Sequence, residues 1–312
     1  MMRRELLYAQ LVNMSSPPAV FAEISHIAGL MHGTFDIERL ASVFNITCDL
    51  YNGQYPGYRA CNTLYHDLRH TTDVFLALAR LLHGAQLDGI TFSPMEATMA
   101  LVATLMHDTG YIQESSDMEG TGGKYTLTHV ARSIEFLKDL LPGKGFSDEE
   151  IGLCEYVVRG TAISDDPNRN ALQENSSVLL CKMIGTADLL GQLADRIYLE
   201  KLLFLYREFH EAKVGGFSSE LELLHSTIGF YTLMEKRLAD DLSNVRNCMR
   251  SHFRVRWQID RDLYQEAIEH NLEFLKSLLD RHDKDYRCEL KREGIVHKLI
   301  SMEAAETACG ED

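Results

Sequence analysis

Proline is scarce in this chain, with six in 312 residues, well under half of ordinary use. Little therefore interrupts helix formation. No stretch alternates apolar and polar residues for long enough to signal a half-buried strand. Long apolar runs are missing too: the longest, such as 99–106, stop well short of a membrane span. The seven cysteines are odd in number, scattered, and form no CxxC pair, so they read as reduced cytoplasmic thiols rather than a disulfide framework. Basic residues are in deficit. Against 46 acidic residues stand 31 lysines and arginines, a formal charge of −15, which argues against a broad basic surface on a nucleic-acid backbone. A small anionic substrate stays open, because a metal or an arginine pair can reverse the field inside a cleft. Residues 1–12 show two arginines, a glutamate and a short apolar stretch with no cleavage-like segment after it. A secretory signal is not expected, and the expected location is cytoplasmic, away from any membrane.

What is present is a large apolar fraction, 45%, with 25% charged residues, enough for a folded protein with a sizeable core. Apolar residues recur every three to four positions over 64–82, 95–106, 127–141, 148–158, 175–209, 219–242 and 262–279, the period of helices with one buried face. Ser93-Pro94 with Glu96, and Ser147 with Glu150, carry the signature of helix starts. The fold class expected is all-α. Turns are expected at 52–58, 142–145, 162–170 and 213–218, and a mobile glycine-bearing loop at 114–124. None reads as an interdomain linker, so residues 1–312 read as one helical domain, with core motifs in 62–242 and a charged helical extension over 260–312. Leu263, Leu272, Leu275 and Leu279 of that extension would serve the core or a second subunit equally, so a homodimer stays open.

Three short segments concentrate chemistry. In Tyr65-His66-Asp67-Leu68-Arg69-His70 two histidines stand four apart, on adjacent turns of one face if the segment is helical. His107-Asp108 closes an apolar helix and precedes a glycine by two residues. Asp188 lies among Met183, Ile184, Ala187, Leu189 and Leu190, a setting in which a carboxylate needs a partner or a metal. Each alone is also compatible with ordinary polar residues on a helix. His129, with Arg132 three residues on, is a further candidate.

Together these segments resemble the HD superfamily of metal-dependent phosphohydrolases, and most closely the catalytic domain of the cyclic nucleotide phosphodiesterases. Lys182 to Leu189 is similar to the family segment ending in Cys-Asp-Leu, Arg207-Glu208-Phe209 to its Glu-Glu-Phe, and Ile228-Gly229-Phe230-Tyr231 to its Gln-x-Gly-Phe-Ile segment. The resemblance spans about 65–230 and implies a multi-helix bundle with a metal site in a central cleft. It implies His70, His107, Asp108 and Asp188 as metal ligands, with Asp108 bridging to a second ion and His129 helping to hold it. His66 would be the proton donor, with Asp67 or another carboxylate holding its ring. Thr227, Phe230 and Arg132 would face the substrate.

The implied activity is hydrolysis of a phosphoester by metal-activated water. A phosphodiesterase on a cyclic nucleotide or related diester comes first. A phosphomonoesterase or nucleotide phosphohydrolase, or a metal-retaining regulatory protein, is the alternative. Mixed nitrogen and oxygen ligands suit Zn, Mn or Fe at the first site, and Mg or Mn at a second. The partner expected is a small, nucleotide-like phosphorylated substrate. The resemblance departs at Asp67, where the family has asparagine, at Thr109 to Ile112, where a further histidine is missing, and at Thr227, which replaces a glutamine. Arg159-Gly160-Thr161 stands where two-metal members place paired histidines.

Overall fold

The computed structural model describes residues 10–31, 35–162, 175–282 and 286–309. Over these residues the chain forms helices α1 (Pro17–Leu30), α2 (Ile37–Tyr51), α3 (Leu68–Leu87), α4 (Pro94–Met106), α5 (His129–Leu140), α6 (Asp148–Val158) and α7 (Ser176–Leu193). There follow α8 (Tyr198–Ala212), α9 (Glu220–Ala239), α10 (Cys248–Trp257), α11 (Leu263–His282), the single turn α12 (Tyr286–Glu289) and α13 (Ile295–Cys309). The described residues contain no sheet, only an isolated bridge between Tyr58 and Glu114. The all-α expectation holds.

Helix α3 is the axis of the bundle. It packs against α1, α4, α7 and α10 and is buried without a break from His70 to Ala85, as a helix surrounded by others must be. Its buried Arg80 gives one N–H to the Tyr264 hydroxyl at 2.9 Å. Gly84 lets α10 close on α3, for a Cβ there would lie 1.9 Å from the Cys248 carbonyl oxygen. Both capping boxes read from the sequence form: Ser93 with Glu96 opens α4, and Ser147 with Glu150 opens α6. Among the described residues no single helix is long and apolar enough to cross a membrane.

Several expectations are corrected. Helices α1, α2 and α10 were not anticipated, although Ser16 and Asp36 cap the first two through the amides of Ala19 and Arg39. The continuous helix expected over 175–209 is two, α7 and α8, meeting at 108°. The bend is fixed from a distance: the Asn271 side-chain amide donates to the carbonyls of Leu193 and Asp195, both at 2.9 Å, satisfying acceptors that another turn of helix would have used. The 114–124 segment is tied down. Asp117 accepts from Lys124 Nζ at 2.6 Å and the Tyr125 hydroxyl at 2.5 Å, while the Thr121 and Gly122 amides donate to Glu211 and Asn62. The connection expected over 162–170 lies outside the described residues beyond Ala162. Leu263, Leu275 and Leu279 are buried in the chain's own core and Leu272 packs against it.

Candidate metal centre

Helix α3 begins later than its apolar pattern suggests, and this arranges the site. Asp67 caps it, accepting from the His70 amide at 2.9 Å. His66 therefore precedes the helix, and the expected pairing of His66 and His70 on one helical face is corrected to one loop residue and one first-turn residue. Their rings still lie 5.8 Å apart. The Asp67 carboxylate also receives Lys201 Nζ at 3.1 Å. It does not hold the His66 ring. That carboxylate is Glu208 of α8, whose Oε2 lies 2.7 Å from His66 Nδ1. An ionised carboxylate only accepts, so Nδ1 carries the proton. Glu208 Oε1 accepts from the amides of Leu64 at 2.9 Å and Tyr65 at 2.8 Å, which fixes the loop as well as the ring.

His107 and Asp108 stand at the C-terminal end of α4, both buried. His107 Nδ1 donates to the Thr104 carbonyl at 2.7 Å, which turns Nε2 toward Asp108. The next turn, Thr109–Tyr111, is clamped to the start of α5. The Gly110 amide donates to Ser133 Oγ at 2.8 Å, and Ser133 Oγ donates to the His107 carbonyl at 2.6 Å. Arg132 Nε donates to the Gly110 carbonyl at 2.7 Å and its Nη2 to that of Ile112 at 3.1 Å. A Cβ on Gly110 would lie 2.0 Å from the His129 carbonyl oxygen, so only glycine permits this approach. Arg132, expected to face the substrate, thus spends its guanidinium on this clamp and stacks on Tyr125. The clamp brings in His129, the first residue of α5, whose Nδ1 donates to the Thr126 carbonyl at 2.8 Å.

The result is a cluster around Asp108. Its Oδ2 lies 3.3 Å from Nε2 of both His70 and His107, and its Oδ1 lies 3.7 Å from His129 Nε2. Asp188 joins through Oδ1, 3.3 Å from His70 Nε2. His70, His107 and Asp108 are close enough together to share one ion. The two oxygens of Asp108 address different histidines. Buried His107 Nε2 and Asp108 Oδ2 have no hydrogen-bond partner. Leaving such atoms unsatisfied costs about 1–3 kcal/mol each, and a divalent cation satisfies both. The donor set therefore fits a metal, and its mixed nitrogen and oxygen ligands suit a transition ion.

Electrostatics agree. In the metal-free chain, burial would lower His70, but the facing carboxylates of Asp108 and Asp188 outweigh it and raise the imidazolium to about 10. Burial likewise opposes the ionised form of Asp108, yet His107 and then His70 hold this carboxyl well below the usual range. Asp188 is lowered too, against its burial, chiefly by His70. His129 is lowered, above all by burial. A positive charge is thus stabilised between these carboxylates, and a metal ion would replace the proton that His70 holds.

The cluster floors a cavity of about 600 Å³ lined also by His66, Tyr111, Gln192, Thr227 and Phe230. Tyr111 stacks on the rings of His66 and His129, with centroids 4.2 and 4.5 Å away. Gln192 receives the Tyr65 hydroxyl on Oε1 at 3.1 Å and donates from Nε2 to Asp188 at 3.3 Å. Glu208, Tyr111 and Gln192 were not singled out for these roles from sequence. Glu208 lay within a quoted motif, but nothing local tied it to His66.

The chain is thus an all-helical bundle with a buried His/His/Asp cluster fit for a divalent cation. It belongs to the Npun_R2479-like family, whose model matches residues 56–242, more than half of the chain. Comparison with curated proteins gives no match. The matched region holds every residue of the cluster and cavity named above, while α1, α2 and α10 to α13 lie outside it.

Proposed function

We propose that the protein is a metal-dependent phosphohydrolase of HD-superfamily type, acting first on a phosphodiester. The observation that carries this reading is the placement of His66, its ring held by Glu208, on the same cavity as the Asp108-centred cluster. His70, His107, Asp108 and Asp188 would hold one divalent ion, with Asp108 and His129 contributing to a second. When bound, such ions supply Lewis acidity, lowering the pKa of water and offsetting phosphoryl charge.

The chain's own residues account for the rest. Glu208 fixes His66 with Nδ1–H turned to the carboxylate, which leaves Nε2 as the ring nitrogen available to the cavity. With a second proton on Nε2, as the imidazolium, His66 keeps Nδ1–H on Glu208 and gives the Nε2 proton to the departing alkoxide, ending as the neutral ring; such a role is worth roughly 10²–10⁴ in rate. Tyr111 packs flat on the His66 and His129 rings and holds them in place. Alkoxides are poor leaving groups, so a positioned acid favours an alkyl ester over an anhydride.

The test begins with protein stripped by chelator and titrated with Mn²⁺ or Zn²⁺. Saturation at 100 times Kd should raise stability by about 2.7 kcal/mol, and the loaded protein should hydrolyse diesters from a panel that includes monoesters. Asp188→Ala should lose both metal affinity and activity, whereas His66→Ala should keep the metal and lose turnover. Failure to bind any divalent ion overturns the proposal, and turnover of monoesters alone overturns the diester assignment.

A further inference from the structure

We propose that the alcohol half of the substrate is apolar: the cavity takes the phosphate ester of an alkyl or aryl alcohol rather than of a nucleoside. This rests on the phosphohydrolase reading and names the substrate class of the same site. Above the metal-ligand floor the wall is built from Val130, Leu202, Leu205, Phe209, Phe217 and Phe230. Leu127, at the N-terminal approach to α5, also lines the cavity yet is 76% exposed, an apolar side chain held in water beside the opening.

Among the described lining residues most polar groups that could read a base edge are engaged, and the Ser226 hydroxyl remains. Among the described lining residues Gln192 carries the only amide, and both its ends are bonded, to Tyr65 and Asp188. The three lining threonines, Thr126, Thr161 and Thr227, each donate their hydroxyl to a backbone carbonyl, those of Gly123, Val158 and Leu223. Among the described lining residues Arg159 alone carries a guanidinium or ammonium group, and it is paired with Glu155 at 2.7 Å. One hydroxyl cannot serve a whole base edge, so a purine or pyrimidine placed here would leave most of its ring nitrogens and carbonyls without partners, a loss an apolar group does not suffer. At about 600 Å³ the cavity is in the size range of sites for small organic ligands. Burying an alkyl chain against such a wall tightens binding by about threefold to fourfold for each methylene.

The experiment uses Mn²⁺-loaded full-length protein and calorimetric titration with n-alkyl phosphonates from methyl to octyl, which keep the anionic head and resist hydrolysis. n-Alkyl alcohols, adenosine monophosphate and a cyclic nucleotide are titrated in parallel. Affinity should rise by about threefold to fourfold per methylene with a negative heat-capacity change, and the nucleotides should bind no tighter than methylphosphonate. Leu205→Asn should flatten the chain-length series while leaving methylphosphonate affinity and Mn²⁺ binding unchanged. Phosphonates that bind with no dependence on chain length, or nucleotides that bind tighter than octylphosphonate, overturn the apolar assignment and leave the phosphohydrolase reading standing. Alcohols that show the chain-length series while phosphonates gain nothing from the head group overturn the phosphohydrolase reading instead.

Discussion

Replacing Glu208 with alanine removes three hydrogen bonds at one stroke, and the structure sets how much each matters. Glu208 is 4% exposed, and its oxygens receive Leu64 N, Tyr65 N and His66 Nδ1 at 2.9, 2.8 and 2.7 Å. Tyr65 is itself 3% exposed, so its amide gains little from water once the carboxylate is gone. A buried donor left unsatisfied costs about 1–3 kcal/mol, and a hydrogen bond to a charged group contributes about 1.5–3 kcal/mol. Glu208→Ala should therefore destabilise by about 4 kcal/mol. At this chain length that lowers the melting temperature by roughly 8 °C. Glu208→Gln keeps Oε1 for the two amides and loses only the charged contact, so about 1–2 kcal/mol is expected. The glutamine NH₂ would donate to Nδ1 and move the His66 proton to Nε2. Thermal unfolding measures the first effect and ¹⁵N chemical shifts of the imidazole the second. An alanine variant melting within 2 °C of wild type, or a glutamine variant as damaged as alanine, would refute the reasoning.

Two further outcomes follow from the geometry. In Gly110→Ala the new methyl would meet the His129 carbonyl oxygen at 2.0 Å and the Ser133 nitrogen at 2.8 Å. Overpacking of this kind costs about 3 kcal/mol and must displace the start of α5. Urea unfolding should show the loss, and a wild-type midpoint would count against the close approach. Asp262 opens α11 by accepting from the amides of Tyr264 and Gln265, and burial, opposed by those amides, pushes its carboxyl from 3.8 up to about 6. Its folded value lies above its unfolded one, so its contribution to stability is full below pH 3.8 and is lost as pH rises through 6. The loss amounts to about 3 kcal/mol. Asp262→Asn keeps the cap without the ionisation, so it should be more stable than wild type at pH 8 by up to that amount. The two should converge toward pH 4 in urea titrations; parallel curves would contradict the shift.

The predictions draw on features of unequal visibility. Helices with a local start signal, α4 and α6, are where the sequence places them, because a serine cap and a glutamate three residues on act within one turn. The break between α7 and α8 is invisible locally, since the group that satisfies the freed carbonyls is Asn271, 78 positions from Leu193. The same contrast runs through the site. Asp108 and Asp188 stand out because a carboxylate inside an apolar run needs a partner, whereas His70 is marked by its spacing from His66, and the four were grouped by the resemblance to HD phosphohydrolases. Which carboxylate serves His66 was not legible, because Asp67, next in sequence, turns to the His70 amide and Lys201, while Glu208 arrives from 142 positions away.

Sequence by itself determined that this chain is helical and that a few buried aspartates need partners, and a family resemblance named the histidines that would supply them. Periodicity and burial cost are properties of short segments, and they act before any fold exists. Tertiary structure alone decided the rest. It set the clamp by which Arg132 and Ser133 bring His129 to Asp108, the carboxylate that turns His66, and the apolar wall raised over the cluster. Those depend on where helices distant in the chain come to lie, and packing of the whole bundle is what places them.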